Sequence, residues 1–117
     1  MPVIFSRDKT EPFPSWSETQ KFGVHRVKAG VEIEPHFHDC NEYWIIMSGE
    51  GDAITEGSPY RLTAGDMLLT RAGDIHSMIV TEDMVAVTYY GVMPPQGRSG
   101  HLHAGVDADW HAYLAAL

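Results

Sequence analysis

Three histidines and one carboxylate stand at spacings that can collect a single metal ion: His36, His38, Glu42 and His76. The first stretch runs Gly30, five residues, His36-Phe37-His38, three residues, Glu42, six residues, Gly49; the second runs Gly65-Asp66, then Gly73, two residues, His76. On a helix, neighbours on one face lie three or four positions apart, so residues i and i+2 diverge. On a strand, side chains alternate, so i, i+2 and i+6 share a face. His36, His38 and Glu42 fit the strand pattern. The first two would sit roughly 6.6 Å apart along it, close enough for their imidazoles to lean onto one ion at roughly 2.0–2.2 Å. His76 must arrive from another strand. Imidazole and carboxylate suit Zn, Fe, Mn, Ni or Co and are too rich in nitrogen for Ca or Mg. Four protein ligands could close a tetrahedron around zinc, or fill four of six octahedral positions and leave two for water and substrate.

The elements that must position these residues read as short strands. Gly49, Gly57, Gly65 and Gly73 recur at intervals of eight, each in a turn-like cluster. Even spacing of that kind indicates an all-β sandwich or barrel. Strands rich in Val, Ile, Tyr, Thr and Trp are expected at about 22–28, 31–38, 42–48, 52–56, 60–62, 67–70, 76–82 and 85–91. Glu34-Pro35 should begin or interrupt a strand. Residues 1–20, with three prolines, read as an arm, and 93–100 as a loop. From 107 to 117 the period changes: Asp107 is a plausible N-cap, and Trp110, Tyr113, Leu114 and Leu117 follow helical spacing. A short amphipathic helix packing on the barrel or on a partner subunit is expected there.

The two stretches resemble the cupin motifs. The first is Gly, five residues, His-any-His, three or four residues, Glu, six residues, Gly; Gly30, His36, His38, Glu42 and Gly49 match every fixed position. The second is Gly, five residues, Pro, any, Gly, two residues, His, three residues, Asn; Gly65, Gly73 and His76 match, while Arg71 replaces Pro and Val80 replaces Asn. Neither departure removes a ligand, and Arg71 adds a cation on the turn. The resemblance covers roughly residues 20–92. It implies a double-stranded β-helix (jelly-roll-like) barrel holding one divalent transition metal inside, and a homodimer. Cupins include dioxygenases, decarboxylases, isomerases, epimerases, lyases, storage proteins and ligand-sensing domains, so the fold alone does not choose an activity.

Other side chains are placed by parity. Trp44 and Ile46 share a face with Glu42, and Met78 and Val80 with His76. Ile46 and Val80 read as core, while Trp44 and Met78 are candidates for a pocket mouth. Cys40 has the parity of the ligands but lies in a turn-like Asp39-Cys40-Asn41, where a small packed residue is the default. One of Tyr89 and Tyr90 should face inward, where a phenol could donate a proton. Arg26, if inward, could pair with a carboxylate substrate. His101-Leu102-His103 repeats the His-any-His form without a following carboxylate, as a second chelate or a lid over the barrel mouth. His25 and His111 have no local constellation.

Composition narrows the class. A chain of 117 residues is one domain, 44% apolar, with eight Lys and Arg against sixteen acids, a formal charge of −8. It lacks the basic footprint of nucleic-acid or anionic-membrane binding. No apolar run approaches the roughly 20 residues of a membrane span, and Met1 to Ser6 shows no secretory pattern. One cysteine, Cys40, suits a reducing compartment, so a cytoplasmic location is expected. The leading expectation is a metal-dependent enzyme on a small organic substrate, either a dioxygenase or an isomerase or lyase on a sugar or keto compound. Glu42 could serve as base. The rival is a non-catalytic binding or sensor module with a structural metal.

Overall fold

A computed structural model describes residues 12–98 and 101–103. Six strands make up the regular structure: β1 (Lys21–Val27), β2 (Glu32–His36), β3 (Glu42–Thr55), β4 (Ser58–Thr63), β5 (Met67–Thr70) and β6 (His76–Tyr90). All pairings are antiparallel. β6 and β3 run together along nearly their whole lengths, and each also pairs with two short strands. The first half of β3 takes β5 and the second half takes β4. The first half of β6 takes β2 and the second half takes β1. Two four-stranded layers result, β1–β6–β3–β5 and β2–β6–β3–β4, sharing their central strands. The strand path does not close on itself. This is the expected all-β, jelly-roll-like architecture.

The core draws on both layers: Trp44, Ile46 and Ala86 from one, Ala53, Leu62, Met78 and Val80 from the other. Burying such side chains on one face of each sheet is the main drive for the layers to pack.

Two pairs of expected strands are single strands. Stretches 42–48 and 52–56 lie within β3 except for Glu56, and 76–82 and 85–91 lie largely within β6. Ser48-Gly49-Glu50-Gly51 is therefore not a hairpin turn but an irregularity in β3, with register shifts between Ile46 and Gly51 against β6. Buried positions are even-numbered before it (Glu42, Trp44, Ile46) and odd-numbered after it (Gly51, Ala53). An extra residue in a strand produces this change of face together with a bend. Gly49 makes it possible, with φ 85° and β6 so close that an added Cβ would sit 2.2 Å from the Asp83 carbonyl oxygen. The next glycine of the eight-residue series, Gly57, does form a hairpin: Thr55 pairs with Ser58, and Glu56 and Gly57 both have positive φ, the signature of a two-residue type I′ turn. Glu34-Pro35 interrupts β2 as expected, with a register shift between Ile33 and His36.

Residues 12–20 are more than a trailing arm. Thr19 Oγ1 donates to the Tyr90 carbonyl at 2.7 Å, and the Phe13 ring lies 6.3 Å from that of Phe22. The expected helix at 107–117 and His111 lie outside the described residues.

On the outer face of the first layer the register lines up two apolar rows across four strands: Phe22, Tyr89, Tyr43, Leu69 and Val24, Val87, Ile45, Met67. Leu69 is 63% exposed.

Gly49→Ala should lose about 2–4 kcal/mol of stability, because it meets both a clash and a disfavoured φ. Gly57→Ala, whose Cβ would enter open space, should lose about 1 kcal/mol. Urea unfolding of both variants checks the difference.

Candidate metal centre

His36 and His76 are direct cross-strand partners where β2 meets β6. Such a pair brings Cβ atoms to about 5 Å, and the two ring centroids are 4.2 Å apart. The ladder of β2 ends at His36; Phe37 then bridges to Leu102, through Phe37 N to Leu102 O at 2.8 Å and Leu102 N to Phe37 O at 3.0 Å. Alternation continues through Phe37, so His38 returns to the face of His36, held by a 2.9 Å bond from Gly73 N to its carbonyl. Glu42 opens β3 on the same side. All four side chains are buried.

Nitrogen atoms of His36, His38 and His76 all lie within 4.8 Å of one another, a spacing at which one ion can be bound. Two of the rings are oriented by backbone carbonyls. His36 Nδ1 donates to the Glu34 carbonyl at 2.7 Å and His76 Nδ1 to the Asp74 carbonyl at 2.9 Å, so each presents an Nε2 lone pair. This is how metal-binding imidazoles are usually fixed in tautomer and direction. His36 Nε2 faces His38 Nε2 at 3.2 Å. Glu42 stands beside the three rings: its oxygens lie 3.1 Å from His38 Nε2 and 3.3 Å from His76 Nε2, and Trp44 Nε1 donates to it at 2.8 Å.

The electrostatics follow from burial and these neighbours. Burial pulls His36 down to about 4; its bond to the Glu34 carbonyl opposes this, and the nearby imidazoles add to it. His36 is thus neutral at pH 7 and able to ligate. Burial opposes ionisation of Glu42, yet His38, His76 and Trp44 together hold its carboxyl well below the usual range. Burial would lower His76, but the adjacent Glu42 carboxylate and the Asp74 carbonyl outweigh it and raise the pKa. The His76–Glu42 contact is not aligned as a hydrogen bond, leaving His76 Nε2 buried and without a hydrogen-bond partner. Such a nitrogen is costly to bury unless something binds it. Three imidazoles and a flanking carboxylate are a donor set that fits a divalent transition metal.

Above the centre opens a cavity of about 480 Å³, lined in part by His38, Cys40, Tyr90, Lys21, Arg98 and His101. Of the two tyrosines, Tyr90 turns inward, its ring 5.7 Å from that of His38; Tyr89 stacks on Tyr43 at 4.7 Å on the opposite face. Burial, then Glu42, raises the Tyr90 phenol, so it keeps its proton. Cys40 is buried, and burial together with Glu42 and Asp39 raises its thiol; a protonated thiol is a poor ligand.

Three pocket candidates are placed elsewhere. Arg26 is exposed, because alternation along β1 turns it outward with Val24 while His25 and Val27 are more covered. Trp44 and Met78 belong to the core below the centre rather than to the cavity mouth. Trp44 acts there through its indole bond to Glu42. His101 stacks on His36 at 3.9 Å and 12°, at the cavity wall, whereas His103 bonds the Pro35 carbonyl through Nδ1. His25, without a role in the sequence, stacks on Trp44 at 5.5 Å and bonds Thr88 Oγ1 at 2.8 Å. Gly23 leaves room for that bond, since an added Cβ would lie 2.9 Å from His25 Nε2. Lys21 and Arg98 were not singled out by the sequence; the parity of Lys21 with His25 was the available signal.

The cupin domain pattern matches residues 23–93, more than half of the chain. The chain is a cupin. Uncharacterized protein y4oW of Sinorhizobium fredii is 29% identical over 73 residues, 62% of this chain and 34% of that protein. The HTH-type transcriptional activator RhaR of Escherichia coli is 38% identical over 50 residues, 43% of this cupin and 18% of RhaR. This cupin therefore spans about a third of one relative and under a fifth of the other. Among solved structures, salicylate 1,2-dioxygenase from Pseudaminobacter salicylatoxidans aligns with TM-score 0.60 and 18% identity, over 63% of this chain and 21% of that one. A predicted oxalate decarboxylase from Thermotoga maritima aligns with TM-score 0.59 and 23% identity, over 65% and 69%. These likenesses establish the fold. Among the described residues no helix is long and apolar enough to cross a membrane.

Trp44→Phe keeps the ring in the core but removes the indole bond to a buried carboxylate. It should cost about 1–3 kcal/mol, measured by chemical unfolding.

Proposed function

We propose that this cupin is a metal-dependent enzyme acting on a small organic molecule, with His36, His38, Glu42 and His76 as the ligands of one divalent transition metal. The observation that carries the reading is the convergence of three buried imidazoles, two of them aimed by backbone carbonyls, with the third, His38, also lining a cavity. When bound, the metal supplies Lewis-acid polarisation of a substrate oxygen, or redox chemistry with O₂ if it is iron. The chain's own residues do the rest. Trp44 holds Glu42 in place. Tyr90 keeps a proton on its phenol oxygen beside Glu42, available to a substrate oxygen. Oxygen-dependent cleavage and redox-neutral isomerase or lyase chemistry are the two reaction classes that such a site suits. The names of two fold neighbours, a dioxygenase and a predicted decarboxylase, fall within them.

A second reading is favoured by one observation, the match to part of a transcriptional activator. In it the domain binds a small ligand without turning it over, and the metal anchors that ligand or the fold. For either reading we place the protein in the cytoplasm, where its single, buried cysteine would stay reduced. We also propose a homodimer in which a second copy covers the two apolar rows on the outer face.

Elemental analysis of untagged protein should find close to one transition metal per chain. His36→Ala should weaken metal binding by more than the 10–100-fold that outer partners of a metal site contribute, while His103→Ala leaves it unchanged. Full metal content in His36→Ala would sink the ligand assignment. Iron, manganese or nickel directs assays to oxygen uptake or isomerisation; zinc in a closed site favours the binding module. Light scattering on Leu69→Lys should show a monomer where the parent protein shows a dimer.

A further inference from the structure

Alternation along β1 gives Lys21 the parity of Gly23, His25 and Val27, opposite to Phe22, Val24 and Arg26, and at the exposed start of the strand Lys21 stands at the rim of the cavity. The register then continues the row inward: Lys21 pairs with Tyr90, and Tyr90 with Glu42. A lysine thus stands in the same cross-strand row as Glu42, two strands away across Tyr90. Its Nζ lies 5.5 Å from the centroid of the Tyr90 ring, an arrangement that favours an ammonium at this spot. Among the described residues Lys21 makes no ion pair, unlike Lys28, which meets Asp83 at 3.3 Å.

The surroundings run against the acidic trend of the chain. A protein of formal charge −8 lines this cavity, among the described residues, with two cations, Lys21 and Arg98, two imidazoles, His38 and His101, and one acid, Asp39. Asp39 is 1% exposed and its carboxylate accepts a bond from the Arg98 backbone N–H. It is directed into the cavity wall. A cavity with cations at its rim and a low-dielectric floor concentrates small anions. Met93 and Cys40 supply apolar wall for an organic frame.

We propose that the ligand of this cavity is a small organic carboxylate, and that Lys21 is the residue that recognises its charge. The proposal rests on the cavity above the metal centre being the substrate site. It narrows the substrate class: one lysine on an aromatic face suits a carboxylate better than a phosphate dianion, which calls for several convergent donors. A sugar would need side-chain amides and carboxylates for its hydroxyls, and among the described residues Gln20 and Asp39 are the only such groups in the lining.

Calorimetric titration of the protein as isolated tests it, with paired probes that differ only in charge: salicylate against salicylamide, oxalate against oxamide, and a series of simple mono- and dicarboxylates, with inorganic phosphate and glycerol beside them. Metal content is measured on the same samples. At least one carboxylate should bind at least 10-fold more tightly than its amide. Lys21→Met should remove about 10-fold of that affinity, Lys21→Arg should keep most of it, and Lys28→Met should leave it intact. All three variants should melt like the parent, which separates recognition from folding. Equal binding of acid and amide, tighter binding of phosphate or glycerol, no saturable carboxylate binding, or undiminished binding in Lys21→Met would overturn the proposal. Carboxylate preference in a protein that holds no metal would uphold Lys21 and count against the enzyme reading instead.

Discussion

Everything in this molecule hangs on one pairing, the long antiparallel run of β3 against β6. Both strands are too long to lie in a single flat sheet of this size, and strands twist and bend as they lengthen. The bend at Gly49 lets them serve two layers in turn. Before it, β3 delivers Glu42, Trp44 and Ile46 to the interior; after it, the opposite parity delivers Ala53. The same strand thereby supplies the carboxylate that stands beside the three imidazoles and part of the apolar core. β6 also serves both layers, with His76 at one end and Tyr90 at the other, but its buried positions stay even-numbered throughout.

A carboxylate buried among imidazoles is a demanding arrangement, since an isolated charge there would cost several kcal/mol. Glu42 is tolerated because His38, His76 and the Trp44 indole surround it. The stacking of His25 on Trp44 and its bond to Thr88 extend that support into the wall between layers. The centre is thus held by a shell of ordinary packing and hydrogen bonding. A shell of that kind limits how far each imidazole can move.

Much of this was legible in the residues. The i, i+2 spacing put His36 and His38 on one buried side, but Glu42 joins them from the start of β3, after a bend at 39–40, and not by alternation along one strand; the alternation of Trp44, Ile46, Met78 and Val80 was clear. Glycine was the misleading signal. Gly49 and Gly57 look alike in sequence, yet one sits in a bulge and the other in a hairpin; only the approach of Asp83 from β6 distinguishes them. Arg26 and Lys21 were hidden for a related reason. Both lie on β1, and which of its faces is interior depends on its register with β6, a contact some sixty residues away in sequence. The mouth-lining role expected of Trp44 failed because its indole has a buried acceptor within reach, so the whole ring can sink into the core.

The bridge between Phe37 and Leu102 has a mechanical meaning. Phe37 is fully buried and stands between two of the imidazoles, and its backbone is clipped on both sides to the strip that carries His101. The wall of the cavity at His101 and the spacing of the His-any-His pair are therefore coupled through two backbone hydrogen bonds. A shift of that wall would be felt by His36 and His38 through the main chain, with no side chain in between.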